Sequence, residues 1–135
     1  MNGHPLSYAI IDIDHFKRVN DKYGHQVGDW VIKSLARLLK FRMRKSGMIG
    51  RIGGEEFGII LPGVSAQDAS RLIDRVRAEF GRLVHKSGPS QFGVTFSCGI
   101  ADIANFQSPV DVSTGADSEL YAVKEHGRDQ VKMAS

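Results

Sequence analysis

Two acidic pairs carry whatever chemistry this sequence performs. Glu55 and Glu56 stand side by side directly after Gly53-Gly54, between the apolar runs 48–52 and 57–61. Like charges held together repel unless a cation or hydrogen-bond donors compensate them, so this pair points to bound metal or to acid/base work. The second pair, Asp12 and Asp14, closes the run Tyr8-Ala9-Ile10-Ile11-Asp12-Ile13-Asp14. On a strand these alternate positions share a face. A buried carboxylate needs partners, so either a metal or a basic side chain should meet them. The plainer alternative is a strand-end aspartate that caps the next helix.

Strands and their supporting helices must position these acids. Gly53 and Gly54 are expected to form a two-residue hairpin turn, because glycine supplies the positive φ such turns need, with strands over 48–52 and 57–61. Residues 8–14 are apolar enough for a central strand. A short helix over 16–23 should end at Gly24. A longer one over about 27–43 carries the stripe Val27, Val31, Leu35, Leu38 and Leu39, with Arg37, Lys40, Arg42 and Arg44 enriching its end, where cations suit the helix dipole. Gly47 should terminate it. Ser65 with Asp68 reads as a capping box for a helix whose apolar face, Ala69, Leu72, Ile73, Val76, Phe80, Leu83 and Val84, continues to about His85.

Residues 87–90 read as loop, 92–101 as a buried strand and 105–109 again as loop. A final helix over about 111–126 is weakened at its start by Val112, Ser113, Thr114 and Gly115. Gly127 suits its C-cap, and residues 130–133 add a short strand. The element order predicts an α/β (α+β) domain, a mixed sheet with helices packed on it. Residues 1–6, with Gly3 and Pro5, lack a period and should precede the fold as a start remnant, leaving 7–135 as one domain.

Composition sets the outer limits. The 135 residues fit one domain, and 41% hydrophobic with 24% charged residues is ordinary for a soluble globular protein. No apolar run approaches the roughly 20 residues that span a bilayer. A formal charge of +3 admits an anionic ligand but is too small to be a nucleic-acid footprint. Cys98 is the single cysteine, so no internal disulfide forms, and a reducing, cytoplasmic location is expected.

Several stretches are recognisable together: Asp12-Ile13-Asp14-His15-Phe16-Lys17, Asn20-Asp21, Tyr23-Gly24-His25, Gly28-Asp29, Arg51-Ile52-Gly53-Gly54-Glu55-Glu56-Phe57, and Ala116-Asp117 through Gly127-Arg128. In order and spacing the chain resembles the GGDEF family of diguanylate cyclases from about residue 7 to 131. The resemblance implies a ferredoxin-like fold similar to the nucleotidyl cyclase core. It also implies a reaction in which two GTP molecules, held antiparallel by two protomers, become cyclic di-GMP and two pyrophosphates. Each 3′-hydroxyl attacks the other nucleotide's α-phosphate. By similarity Asp12, Glu55 and the backbone carbonyl of Ile13 would hold two magnesium or manganese ions, Glu55 would help deprotonate the hydroxyl, and Glu56 would support the metal site. Lys17, Lys124 and Arg128 look like triphosphate ligands, with Lys17 also stabilising the transferring phosphate. Asn20 and Asp29 resemble guanine readers, with His25 near the same pocket, and Gly53 and Gly54 would admit the nucleotide. GTP, cyclic di-GMP and a second copy of the chain are the partners implied. A module that binds GTP or cyclic di-GMP without turnover is the alternative, and a ligand-free dimerisation module a third.

Three departures qualify the resemblance. The family's usual leading helix and Asp-x-Leu-Thr-Gly-Leu-x-Asn-Arg segment is not among these residues, so part of the nucleotide pocket and of the sheet's cover is expected to lie outside them and activity to be reduced. An Arg-x-x-Asp product-inhibition site reads here Arg44-Lys45-Ser46-Gly47, leaving Arg44 and a secondary Arg75 as a residual cation pair and predicting weak or absent feedback. Finally, Asp129 stands where the family commonly has asparagine, a charge expected to weaken the phosphate contact of Arg128.

Overall fold

A computed structural model describes residues 5–102 and 109–134, with the side chains of 109–112 outside that description. Of the start remnant expected at 1–6 and the loop expected at 105–109, residues 1–4 and 105–108 lie outside the described residues, while Leu6 already opens the first strand and Pro109 opens the last helix. The elements follow as β1 (Leu6–Ile13), α1 (Phe16–Tyr23), α2 (His25–Met43), β2 (Met48–Arg51), β3 (Glu56–Pro62), α3 (Ala66–Arg82), β4 (His85–Ser87), β5 (Ser90–Phe92), β6 (Phe96–Asp102), α4 (Pro109–Glu125) and β7 (Val131–Met133).

The main sheet has the order β2-β3-β1-β6-β7. Its first four strands, β2, β3, β1 and β6, are mutually antiparallel neighbours, and β7 adds in parallel to β6. This is the ferredoxin-like pattern, in which β1 and its crossover helices are followed by a hairpin whose second strand returns beside β1.

The central strand is buried on both faces, which explains its nearly continuous apolar run. Ala9, Ile11 and Ile13 pack with Ile59, Leu61, Leu35, Leu39, Ile73 and Phe80 in the main core. Ile10 faces the other way, onto Ala101, Ala116 and Leu120. Asp12 therefore shares the α4 side of the sheet with Ile10. α4 approaches very closely there: a Cβ on Gly99 would stand 2.1 Å from the Ala116 carbonyl oxygen and 2.4 Å from the Leu120 amide. Only glycine lets the helix backbone rest on β6.

Several boundaries differ from expectation for identifiable reasons. The long helix starts at His25 and ends at Met43, and Gly47 does not cap it. That glycine is needed for contact instead, since a Cβ there would meet the Ile60 carbonyl oxygen at 2.6 Å. α3 stops at Arg82, capped at its start by the Ser65 hydroxyl accepting from the Asp68 amide. Leu83 is already extended, so Val84 leaves the apolar face and is exposed. The buried strand begins at Phe96. Phe92 belongs to a separate two-stranded hairpin, β4 and β5, around Gly88. Pro109 opens α4, as a residue without an amide proton can at a helix start.

His85, on this small hairpin, packs edge-on against Phe80 at 5.8 Å and tilted against Phe92 at 5.5 Å. Its Nε2 is buried without a hydrogen-bond partner, and burial lowers the imidazole's pKa. The folded chain thus favours the neutral ring, a stabilisation present above the usual histidine range, near pH 6.5, and lost as pH falls below it. Denaturant unfolding at about pH 7.5 and 5 should show wild type losing more stability on acidification than His85→Phe. Equal losses in the two proteins would clear this ring of the effect.

Candidate active site

The site begins where β1 runs out. Asp12 is 6% exposed and Asp14 5%. The two acids meet different partners. α4 points Ala116 and Leu120 at the sheet, and Lys124, one turn beyond Leu120, lies on the same helix face. Its Nζ donates to Asp12 Oδ2 at 2.5 Å. Directly across the ladder from Asp12 is Glu56 on β3. Burial raises the Glu56 pKa, the charge of Asp12 and a hydrogen bond with it raise it further, and Lys124 opposes the shift.

Asp14 is not metal-like in its surroundings, nor does it cap α1. Its Oδ1 accepts from the Ser97 hydroxyl at 2.6 Å, and its Oδ2 from the Thr95 hydroxyl at 2.7 Å and the Asp129 amide at 3.1 Å. The residue before α1 is His15, left-handed at φ 55° with no side-chain cap. Thr95 and Ser97 were missed in the sequence, although alternating hydroxyls in an apolar run pose the same question as buried aspartates: which polar group do they satisfy?

The hairpin tip is built differently from expectation. Arg51 pairs with Phe57 and the Ile52 amide donates to the Glu56 carbonyl at 2.9 Å, leaving Gly53, Gly54 and Glu55 as a three-residue loop. Neither glycine has a positive φ. The loop is closed instead by Arg51, whose Nη2 donates to the Gly54 carbonyl at 2.6 Å and whose Nε reaches the Gly53 and Gly54 carbonyls at 3.3 and 3.1 Å. Ile13 donates its amide to the Glu55 carbonyl at 3.2 Å. The tip is thereby tied to the end of β1.

A cleft of about 190 Å³ opens at this junction, lined by Asp12, Ile13, Asp14, His15, Phe16, Lys17, Glu55, Lys124 and Arg128. Six expected site residues, Asp12, Ile13, Lys17, Glu55, Lys124 and Arg128, thus share one concave surface. Glu56 touches it through Asp12. Gly53 and Gly54 do not line it, nor do Asn20, His25 and Asp29, which sit around the α1–α2 junction. There a Cβ on Gly28 would fall 1.9 Å from Asn20 Oδ1, and that oxygen is buried without a hydrogen-bond partner.

Of the cation pair expected from Arg44 and Arg75, Arg75 lines a groove and Arg44 does not. Arg75 lines a groove of about 460 Å³ with Arg42, Leu72, Val76, Glu79 and Arg82. Arg44 does not line that groove and lies over the Phe41 ring at 5.5 Å. Asp129 has a partner on α3. Its Oδ1 accepts from Arg77 Nη1 at 2.7 Å, so its charge is compensated by Arg77.

Among the described residues no three carboxylate, imidazole or thiol side chains converge as a preformed cation site. Three carboxylates line the cleft; Asp14 is taken up by its hydrogen bonds, and Asp12 and Glu55 with the strand-end backbone suit a hard divalent ion that keeps waters and takes further oxygens from a phosphate substrate. Among the described residues, no helix is long and apolar enough to cross a membrane.

A model of the family described as "Diguanylate cyclase, GGDEF domain" matches residues 1–130. The chain is 38% identical over 133 residues to the diguanylate cyclase DgcP of Pseudomonas aeruginosa, covering 98% of this chain and 20% of that protein. It superposes on the active GGEEF domain of a diguanylate cyclase from Vibrio cholerae with a TM-score of 0.90 at 30% identity, covering 98% of this chain and 84% of that one. On the GGDEF domain of DgcB from Caulobacter crescentus, solved in complex with c-di-GMP, the TM-score is 0.91 at 34% identity, with 97% and 78% covered. The chain spans about a fifth of the length of DgcP.

The Asn20–Gly28 contact makes a direct prediction. Gly28→Ala should destabilise the fold by about 1–3 kcal/mol through overpacking, less whatever alanine gains in helix propensity. Adding Asn20→Ala removes the obstructing oxygen and should recover most of the loss in chemical denaturation. A Gly28→Ala protein as stable as wild type would show that the Asn20 amide swings clear at no cost and would overturn the prediction.

Proposed function

Because the chain belongs to the GGDEF domain family, we propose that it is a diguanylate cyclase domain joining two GTP molecules into cyclic di-GMP with loss of two pyrophosphates. The observation that carries this reading is the single cleft lined by Asp12, Glu55, Lys17, Lys124 and Arg128. Carboxylates and cations in one small space suit a triphosphate and its counter-ions, which neither charge sign alone would accommodate.

In this reading Asp12, Glu55 and the Ile13 carbonyl would hold magnesium or manganese, two ions per site. When bound, the ions neutralise charge on the phosphates. The remaining work belongs to the chain. Lys17, Lys124 and Arg128 bind the triphosphate, and Lys17 stabilises the phosphate being transferred. Glu55 helps take the proton from the 3′-hydroxyl as its oxygen attacks the α-phosphate of the other nucleotide. The new P–O bond replaces the bond to pyrophosphate, and two such steps close the ring. Glu56 steadies Asp12. Asn20 presents amide donors and Asp29 a carboxylate acceptor to guanine, with His25 nearby, which favours GTP over ATP. Gly53 and Gly54 keep the hairpin tip free of side chains beside the nucleotide.

Lys124 has two roles in this account. Without nucleotide it neutralises Asp12. With nucleotide and metal its charge passes to the triphosphate.

One cleft holds one GTP, so two chains must face each other, and catalysis needs a homodimer. GTP as substrate and Cys98 as a buried free thiol accord with a cytoplasmic setting. Product feedback at residues 44–47 is absent in this reading. Gly47 offers no carboxylate to guanine, and a larger residue there would press on the Ile60 carbonyl.

The test is incubation with GTP and magnesium over a range of protein concentrations, with chromatography for cyclic di-GMP. The expected outcome is product formed at a rate steeper than linear in protein, a loss of about 100-fold or more in Glu55→Gln, and no inhibition by added product that depends on Arg44. GTP binding without product at any concentration would replace the enzyme with a sensing module. Tight Arg44-dependent inhibition would overturn the missing brake.

A further inference from the structure

The turn that follows α4 carries Arg128 to the cleft in a backbone conformation that would not persist unaided. Gly127, Arg128 and Asp129 have φ of 107°, 60° and 48°. L-residues enter the left-handed region as single residues, and two in succession after a glycine need outside support. That support comes from three sides. The Arg128 amide donates back to the Val123 carbonyl at 2.9 Å. The Asp129 amide donates to Asp14 Oδ2 at 3.1 Å and to the Ser97 hydroxyl at 3.2 Å. From α3, Arg77 donates to Asp129 Oδ1 at 2.7 Å while its Nε is held by Asp74 Oδ1, also at 2.7 Å.

We propose that Arg77 is a positioning residue for the phosphate site, a latch from α3 that holds the 127–129 turn so that Arg128 faces the cleft, with Asp14 as the second anchor beneath it. The inference rests on the reading of this cleft as a GTP site. Arg77 does not line the cleft, and its side chain is 22% exposed. A guanidinium braced by one carboxylate and presented to another has little freedom left to lose, so the pair fixes geometry better than a lone surface bridge. The arrangement also accounts for an aspartate at position 129. A short acidic side chain tolerates the left-handed conformation and answers the charge of Arg77.

Because Asp14 is buried with three hydrogen bonds, its variants risk misfolding, and Arg77 is the residue to change. Arg77→Met keeps the packing of the stem and removes the donors. The experiment measures KM for GTP, kcat, the GTP dissociation constant and thermal stability for wild type, Arg77→Met, Arg128→Ala and the double variant. The expected result is a rise of roughly 3- to 10-fold in KM and dissociation constant for Arg77→Met, with kcat within about twofold. The double variant should bind GTP no more weakly than Arg128→Ala alone, since the latch acts only through Arg128. Unchanged affinity in Arg77→Met, or effects that simply add in the double variant, would reduce Arg77 to a surface ion pair and overturn the proposal. The reading of the reaction fails separately if wild type binds GTP without making product, while the latch is still read in the dissociation constant. Wild type that does not bind GTP at all overturns both.

Discussion

Two carboxylates buried at the end of one strand constrain everything around them. Removing an unpaired carboxylate from water costs several kcal/mol or more, so such a group either finds partners or gives up its charge. Asp12 and Asp14 find theirs on every neighbouring element: Lys124 from α4, Glu56 from β3, hydroxyls on and just before β6, and the backbone of the turn after α4. The division of labour is clear. Asp14 is fully committed to structure. Asp12 is held by one lysine and one neighbouring acid, an arrangement that can be exchanged.

That exchangeability depends on distances set elsewhere. α4 reaches Asp12 because Gly99 lets its backbone lie on β6. The hairpin tip reaches the same point because the Glu55 carbonyl accepts from Ile13 and Arg51 gathers the loop carbonyls. Two devices, one steric and one hydrogen-bonded, bring β3 alongside and α4 over the same strand end. The cations of Lys17 and Arg128 then complete a cleft of mixed sign.

Much of this was legible in the sequence. The apolar run of residues 8–13, the stripe of α3 and its Ser65 cap translate directly into elements, and the order of elements leads to the sheet. The acids and cations of the cleft could be named from their motifs. What could not be read were contacts whose cause lies in three dimensions. Gly53 and Gly54 suggested a two-residue turn of positive φ, but the loop is one residue longer and is closed by Arg51. β4 and β5 are three residues each, too short and too polar to carry a period. Gly28 and Gly99 look like ordinary helix and strand interruptions until the partner backbone or side chain is seen against them. Asp129 looked like a stray charge beside Arg128 until α3 supplied Arg77.

In the proposed reaction Asp12 would be a metal ligand that Lys124 covers until nucleotide binds. The most direct measurement is a crystal structure of the chain with magnesium and 3′-deoxy-GTP, which cannot form the new bond. The expected result is a cation held by Asp12 and Glu55, with Lys124 Nζ moved from Asp12 to a phosphate oxygen. Nucleotide and metal bound with Lys124 still on Asp12, and no cation touching that carboxylate, would contradict it.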